Sequence, residues 1–314
     1  MHRPTSFVGG CNAGDLGMAV YDFRSGQFAA SGEAQPVTAH KTYVFLPQGT
    51  VVLVANLSYA GTAPVTTSLE QSLYDPSTPA TVFAGGKATQ VPFGSSTMLS
   101  GAEFVHHHRT LYSARVPQTM FASALNTTGS WSRIAEAAAS TPVYRSIFSA
   151  GIEHGRATAT GATFEYAVLP NVLLPDAGAV HQSWWQQTVR VANNTMAQQA
   201  LEFRGTTTTA FVAVWDAPRA EPLKILGTWT LGNFSAPAVV MVTADGSSVQ
   251  FTAANPLNAP LSLSFAMTPA TGPALVSDPT AGPVACTNHH VTIAVPADGS
   301  VTGSCSLSLS NGTN

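Results

Sequence analysis

Few side chains here are equipped for proton transfer or metal binding, and the densest group is His106-His107-His108-Arg109. On a strand, His106 and His108 would share one face and His107 the other. Two imidazoles at i, i+2 can ligate one metal ion. The nearest carboxylate in sequence, however, is Glu103, so no metal is assigned and the stretch reads as a polar, solvent-facing strand. Its other use is as a source of a histidine base for a glycan reaction. His106, His108 and Arg109 are therefore kept as candidate substrate contacts. Glu153-His154 follows a second strand-like segment. An acid beside a histidine can move protons, but strand neighbours point to opposite faces, so His154 is kept alone. His289-His290 reads as surface decoration. Trp184-Trp185 could stack on the apolar face of a pyranose, although a plug between two cores is the favoured reading.

The remaining inventory narrows the chemistry. No GxSxG, HExxH, Walker A loop or GxGxxG before a helix is present, and no cofactor is expected. Glu70, Glu103, Glu136, Glu153, Glu165, Asp176 and Glu202 are widely separated, so any catalytic carboxylate pair would have to be assembled in space. Of the three cysteines, Cys286 and Cys305 flank an expected hairpin and are candidates for a disulfide. Cys11 is then a free thiol or the partner of something outside the chain.

Bulk properties exclude further classes. Charged residues make up 9% of the 314-residue chain, against roughly 25% in an average soluble domain. The net charge is −3, with only 13 Lys plus Arg, so nucleic acid is not an expected partner. No apolar run approaches the roughly 18 residues that cross a bilayer, and no membrane partner is expected. The first residues, MHRPTSFVGG, lack the apolar core of a signal peptide. The hydroxyl-rich composition, with sequons at Asn56, Asn126, Asn193, Asn233 and Asn311, nevertheless points to an extracellular, secreted protein.

The elements that must position these residues are mostly strands. Tyr43–Leu46 and Val51–Leu57 flank Pro47-Gln48-Gly49 and read as a hairpin. The run Val51-Val52-Leu53-Val54-Ala55 suggests a strand covered on both faces. Other strands are expected at 17–23, 65–69, 81–83, 88–91, 102–112, 143–151 and 164–169, with Gly85-Gly86 marking a tight turn. Ser132–Ala139 carries the pattern of a short helix. Residues 173–186 break the pattern and read as a connection containing a helical turn. From Thr188 onward, short strands every 10–12 residues indicate a β-sandwich, closing on a hairpin of 291–295 with 303–309.

In order along the chain, several segments resemble one family. They are GMAVYDF, then Lys41-Thr42-Tyr43-Val44-Phe45, then VVLVANLSY, and then a Thr66-Thr67 pair. Gly129-Ser130-Trp131-Ser132-Arg133-Ile134 follows, then Ile152-Glu153-His154-Gly155, and Tyr166 to Asn171. Together they resemble the central β-domain of polysaccharide lyase family 8, the hyaluronate, chondroitin and xanthan lyases. Tyr43 stands where the family has Trp, and Ala135 where it has Asn. The resemblance spans about residues 7–216. It implies an all-β fold, an antiparallel β-supersandwich (galactose mutarotase-like) in residues 1–182 followed by a smaller C-terminal antiparallel β-sandwich in 183–314. It implies β-elimination on an acidic, uronic-acid-containing polysaccharide. The family's catalytic Asn, His, Tyr and Arg lie in an N-terminal α-helical domain that would precede residue 1, and none maps onto this chain. The resemblance thus implies a cleft wall or carbohydrate-binding portion, inactive alone. A stand-alone secreted glycan-binding or structural β-sandwich is the alternative.

Overall fold

A computed structural model describes residues 7–25, 36–61, 63–135, 137–155, 159–245, 248–269, 274–277, 283–287, 289–297 and 299–308. Its elements are antiparallel strands with little helix. The chain order begins β1 (Val8–Ala13), β2 (Leu16–Arg24), β3 (Thr38–Leu46), β4 (Gly49–Tyr59), β5 (Thr66–Leu73) and β6 (Ala80–Ala84). It continues with β7 (Lys87–Val91), β8 (Ser95–His107), β9 (Thr110–Gly129), β10 (Val143–Glu153) and β11 (Ala159–Leu169). The helix α1 (Ala177–Ser183) runs into a single wider π-helical turn, Trp184–Thr188. After it come β12 (Val189–Asn194), β13 (Gln198–Arg204), β14 (Thr208–Val214), β15 (Leu223–Ile225), β16 (Trp229–Gly232) and β17 (Ala238–Ala244). The last strands are β18 (Ser248–Ala254), β19 (Leu261–Pro269), β20 (Ala274–Ser277), β21 (Val284–Thr287), β22 (His290–Val295) and β23 (Ser300–Ser308).

By internal contacts the chain forms two compact units. The first contains residues 1–60, 159–165 and 182–314. In it β3 and β4 form the expected hairpin, Thr42 facing Leu53 and Leu46 facing Gly49. Val51 to Ala55 are each 3% exposed or less, so β4 is covered on both faces, as its unbroken apolar run requires. In the C-terminal strands, alternate side chains such as Val212, Val240, Phe251, Phe265 and Ile293 share one apolar core. The opposite faces of β13, β14 and β17 are buried too, through Leu201, Phe211 and Met241. Strand β1 packs on β17, β18 and β23 in the same unit.

A polar network fastens the early strands to the later ones inside this unit. Thr42 Oγ1 donates to Gln199 Oε1 at 2.6 Å, and Trp215 Nε1 donates to the same oxygen at 3.1 Å. Gln199 Nε2 donates to Asn194 Oδ1 at 2.8 Å, and Asn194 Nδ2 reaches Glu165 Oε1 at 2.7 Å. The His40 ring stacks on Trp215, with centroids 4.4 Å apart. Buried amides are retained in such a position only when their donors and acceptors are matched.

The second unit contains residues 61–158 and 166–181. The long strand β9 is its spine. One edge of β9 pairs with β8; the other pairs with Tyr166–Leu169 near its start and with β10 over its second half. β10 in turn pairs with β5, with a bulge at Ala150/Gly151. β6 pairs with β7 through Gly85 and Gly86, both at positive φ (+56° and +78°), the backbone a two-residue hairpin turn demands.

Three sequence expectations are corrected. Among the described residues of Ser132–Ala139 there is no α-helix: a 3₁₀ turn, Trp131–Arg133, forms instead, with none of its residues buried. Eight residues without an apolar face to bury do not repay helix nucleation. The segment 102–112 is not one strand, because a turn at His108-Arg109 divides it into β8 and β9. Strands β22 and β23 do not pair as a terminal hairpin; β22 lies between β19 and β21, and β23 between β18 and β20.

Candidate functional site

Glu70 and His107, 37 positions apart in sequence, meet in the second unit. His107 ends β8, and its Nδ1 lies 2.8 Å from Glu70 Oε1 on β5. Ser72 Oγ donates to the same oxygen at 2.6 Å. The His107 side chain is fully buried, packed 4.1 Å from the Phe148 ring. His108 follows in the turn and stacks on His107 with centroids 3.8 Å apart. The turn has two central residues, His108 and Arg109, at φ +46° and +62°, flanked by the facing pair His107 and Thr110. That is the geometry whose twist matches a hairpin. Burial alone would raise the Glu70 carboxyl. The hydrogen bonds from His107 and Ser72 outweigh it and hold the group below its ordinary range. The Tyr112 phenol is pushed up by burial and by the Glu70 charge beside it.

The candidates separate rather than converge. His106 is buried, and its Nε2 bonds the Val172 carbonyl oxygen at 2.9 Å, so it braces the loop before α1. His106 and His108 do not share a face, since the turn ends the alternation at His107. The solvent-facing strand expected here is in fact mostly interior. His108 and Arg109 are exposed at the turn. His154 lies past the end of β10, its Nε2 2.9 Å from Thr67 Oγ1, while Glu153 Oε1 accepts from the Gly155 amide at 3.0 Å. Ser113 Oγ lies 2.8 Å from His181 Nδ1, an arrangement that suggests a nucleophile and its base. Ser113 is fully buried, however, so the pair anchors α1 instead of meeting a substrate. Trp184 is buried and cannot offer a sugar-stacking face; Trp185 is half-buried.

One open cavity of about 500 Å³ lies elsewhere in the second unit. Trp131, Ile134, Val143 and Ile147 supply its apolar lining, with Arg145 and Thr128 adding a guanidinium and a hydroxyl. Trp131 and Ile134 are 62% and 79% exposed, which is unusual for such large apolar side chains. An aromatic face beside a fixed cation and hydroxyls suits an acidic sugar. Sequence reasoning used Trp131 only as part of a motif. The signal for its exposure was present in the failed helix, since a Trp and an Ile in a segment with no core face are left on the surface. In the first unit, Cys286 on β21 and Cys305 on β23 bring their sulfurs into contact, with Cα atoms 6.2 Å apart, while Cys11 is buried without a sulfur partner.

Antiparallel strands with this connectivity define an all-β architecture. The chain is similar to the solved Paenibacillus xanthan lyase, with a TM-score of 0.78 and 18% identity over 100% of this chain and 30% of that one. It is similar to a chondroitinase AC lyase at TM-score 0.74 and 20% identity, over 95% of this chain and 39% of that one. The Streptomyces coelicolor A3 chondroitin AC lyase, solved with chondroitin sulphate, gives 0.69 and 19%, over 97% and 36%. The chain thus spans about a third of the length of these lyases. No curated protein matches it in sequence. Residues 2–180 match polysaccharide lyase family 8, super-sandwich domain, and the chain belongs to that family.

Proposed function

We propose that this chain is the β-domain portion of a polysaccharide lyase acting on a uronic-acid-containing polysaccharide by β-elimination. Residues 1–182 form the super-sandwich portion and 183–314 the C-terminal sandwich. In such a reaction a base removes the proton α to the uronate carboxylate, cations or hydrogen bonds neutralise that carboxylate, and an acid protonates the departing oxygen. The buried His106, His107 and Ser113 cannot reach a polymer. The chain's role is to wall the substrate cleft and hold acidic sugar, outside the cell, with catalysis supplied by an α-helical domain on the N-terminal side. The observation carrying this reading is the family match over residues 2–180, joined to a span of only 30–39% of the solved xanthan lyase and chondroitinase AC lyase. The test is incubation of the purified chain with hyaluronate, chondroitin, xanthan and alginate, following the ultraviolet absorbance of unsaturated uronate. A flat trace is expected from this chain alone and a rising one when the helical domain of a family member is supplied. A rising trace without it would overturn the division of labour.

A second reading, a stand-alone glycan-binding module, is favoured by the Trp131–Arg145 cavity, which needs no neighbouring domain to present an aromatic face and a cation. Affinity electrophoresis in gels containing acidic or neutral polysaccharide checks it; unretarded migration in all of them removes it.

A further inference from the structure

The geometry points to a divalent transition-metal site, of the kind that takes Zn²⁺, formed by Glu70, His107 and His108. One donor atom from each residue lies within 4.8 Å of those of the other two. Two imidazoles and one carboxylate are the ligand set that suits zinc and its neighbours, whereas calcium and magnesium prefer all-oxygen sites. Zinc bonds of about 2.0–2.2 Å place tetrahedral ligand atoms roughly 3.3 Å apart. Glu70 Oε1 and His107 Nδ1, at 2.8 Å, already approach that spacing. The remaining closure falls to His108, which is exposed at a hairpin turn and stacked on His107.

Two further features favour an ion there. Glu70 Oε2 is buried without a hydrogen-bond partner, leaving acceptor capacity unused in a place where it costs stability. The Asp75 carboxylate stands within electrostatic range of both imidazoles and adds negative potential at the exposed side. The ion would tie β5 to the β8–β9 turn, closing a link between segments 37 residues apart. A fourth position remains open to water on the His108 side, where the turn meets solvent.

The test uses the full 314-residue chain without a histidine tag, stripped with chelator and titrated with Zn²⁺ alone by calorimetry. The informative variant is His108→Asn, because asparagine tolerates the positive φ of this turn while giving up the imidazole. One equivalent bound at micromolar affinity or tighter, weakened at least tenfold in His108→Asn, is the expected result. Circular dichroism of the variant confirms that it is folded. Co²⁺ substitution provides an independent reading, with visible ligand-field bands in the parent chain and not in the variant. A His289→Ala/His290→Ala variant should bind like the parent. Absence of stoichiometric binding, equal binding by His108→Asn, or loss only on changing His289 and His290 would each overturn the site.

Discussion

Trp131 is the residue whose placement most invites a functional test. It is largely exposed on a 3₁₀ turn, so Trp131→Ala should change stability by no more than about 0.5 kcal/mol. Its loss from the cavity should weaken retention by acidic polysaccharide at least about fivefold, the effect of removing roughly 1 kcal/mol of contact. Affinity electrophoresis alongside thermal melting separates the two outcomes. Glu70 gives a pH prediction. Its carboxyl is depressed in the fold, so it contributes stability that is present above its unfolded value, near 4.3, and is lost as pH falls through the lower folded value. In chelator, Glu70→Gln should melt below the parent at pH 7, by a cost of about 1–3 kcal/mol, and that gap should narrow as the pH falls below 4. A gap that stays constant from pH 7 to pH 3 would show that the carboxylate charge contributes nothing there.

At the scale of elements, the amide of Gln199 links β13 to β3 through Thr42 and to Trp215 just beyond β14. Gln199→Ala strips partners from Thr42, Trp215 and Asn194 at once and leaves buried polar atoms unmatched. We expect a loss of about 2–3 kcal/mol, read as a lowered urea midpoint with unchanged slope. The companion change Thr42→Val removes a single partner and should cost less. Equal costs would mean that the network is not shared as its distances indicate. This network was not legible in the sequence, because Thr42 and Gln199 are 157 positions apart. The hairpin that carries Thr42 was legible, since a continuous apolar run after Pro and Gly has few alternatives to a doubly covered strand.

For the whole molecule, cysteine chemistry offers a direct check. Cys286 and Cys305 are separated by 19 positions, and a disulfide between them should contribute about 3 kcal/mol by restricting the unfolded chain. The Cys11 thiol is pushed up to about 12 by burial and should be inert in the folded protein. A thiol reagent should therefore find no reactive sulfhydryl in the native chain and one after unfolding in denaturant. Three after unfolding would mean that the pair is reduced. Reductant should lower the thermal midpoint of the parent and leave that of Cys286→Ser/Cys305→Ser unchanged.

The sequence by itself determined the all-β class, most strand positions, the doubly buried β4 and the family, because two-residue periodicity, turn chemistry and the order of short motifs are local properties. It also located the histidine-rich segment. Only the tertiary structure decided what that segment does. The turn at His108-Arg109 sends His106 and His107 inward, and pairing of β5 with β10 brings Glu70 to His107. It likewise left Trp131 and Ile134 on the surface around Arg145. These outcomes depend on which strands become neighbours, and strand pairing joins residues that sequence spacing keeps far apart.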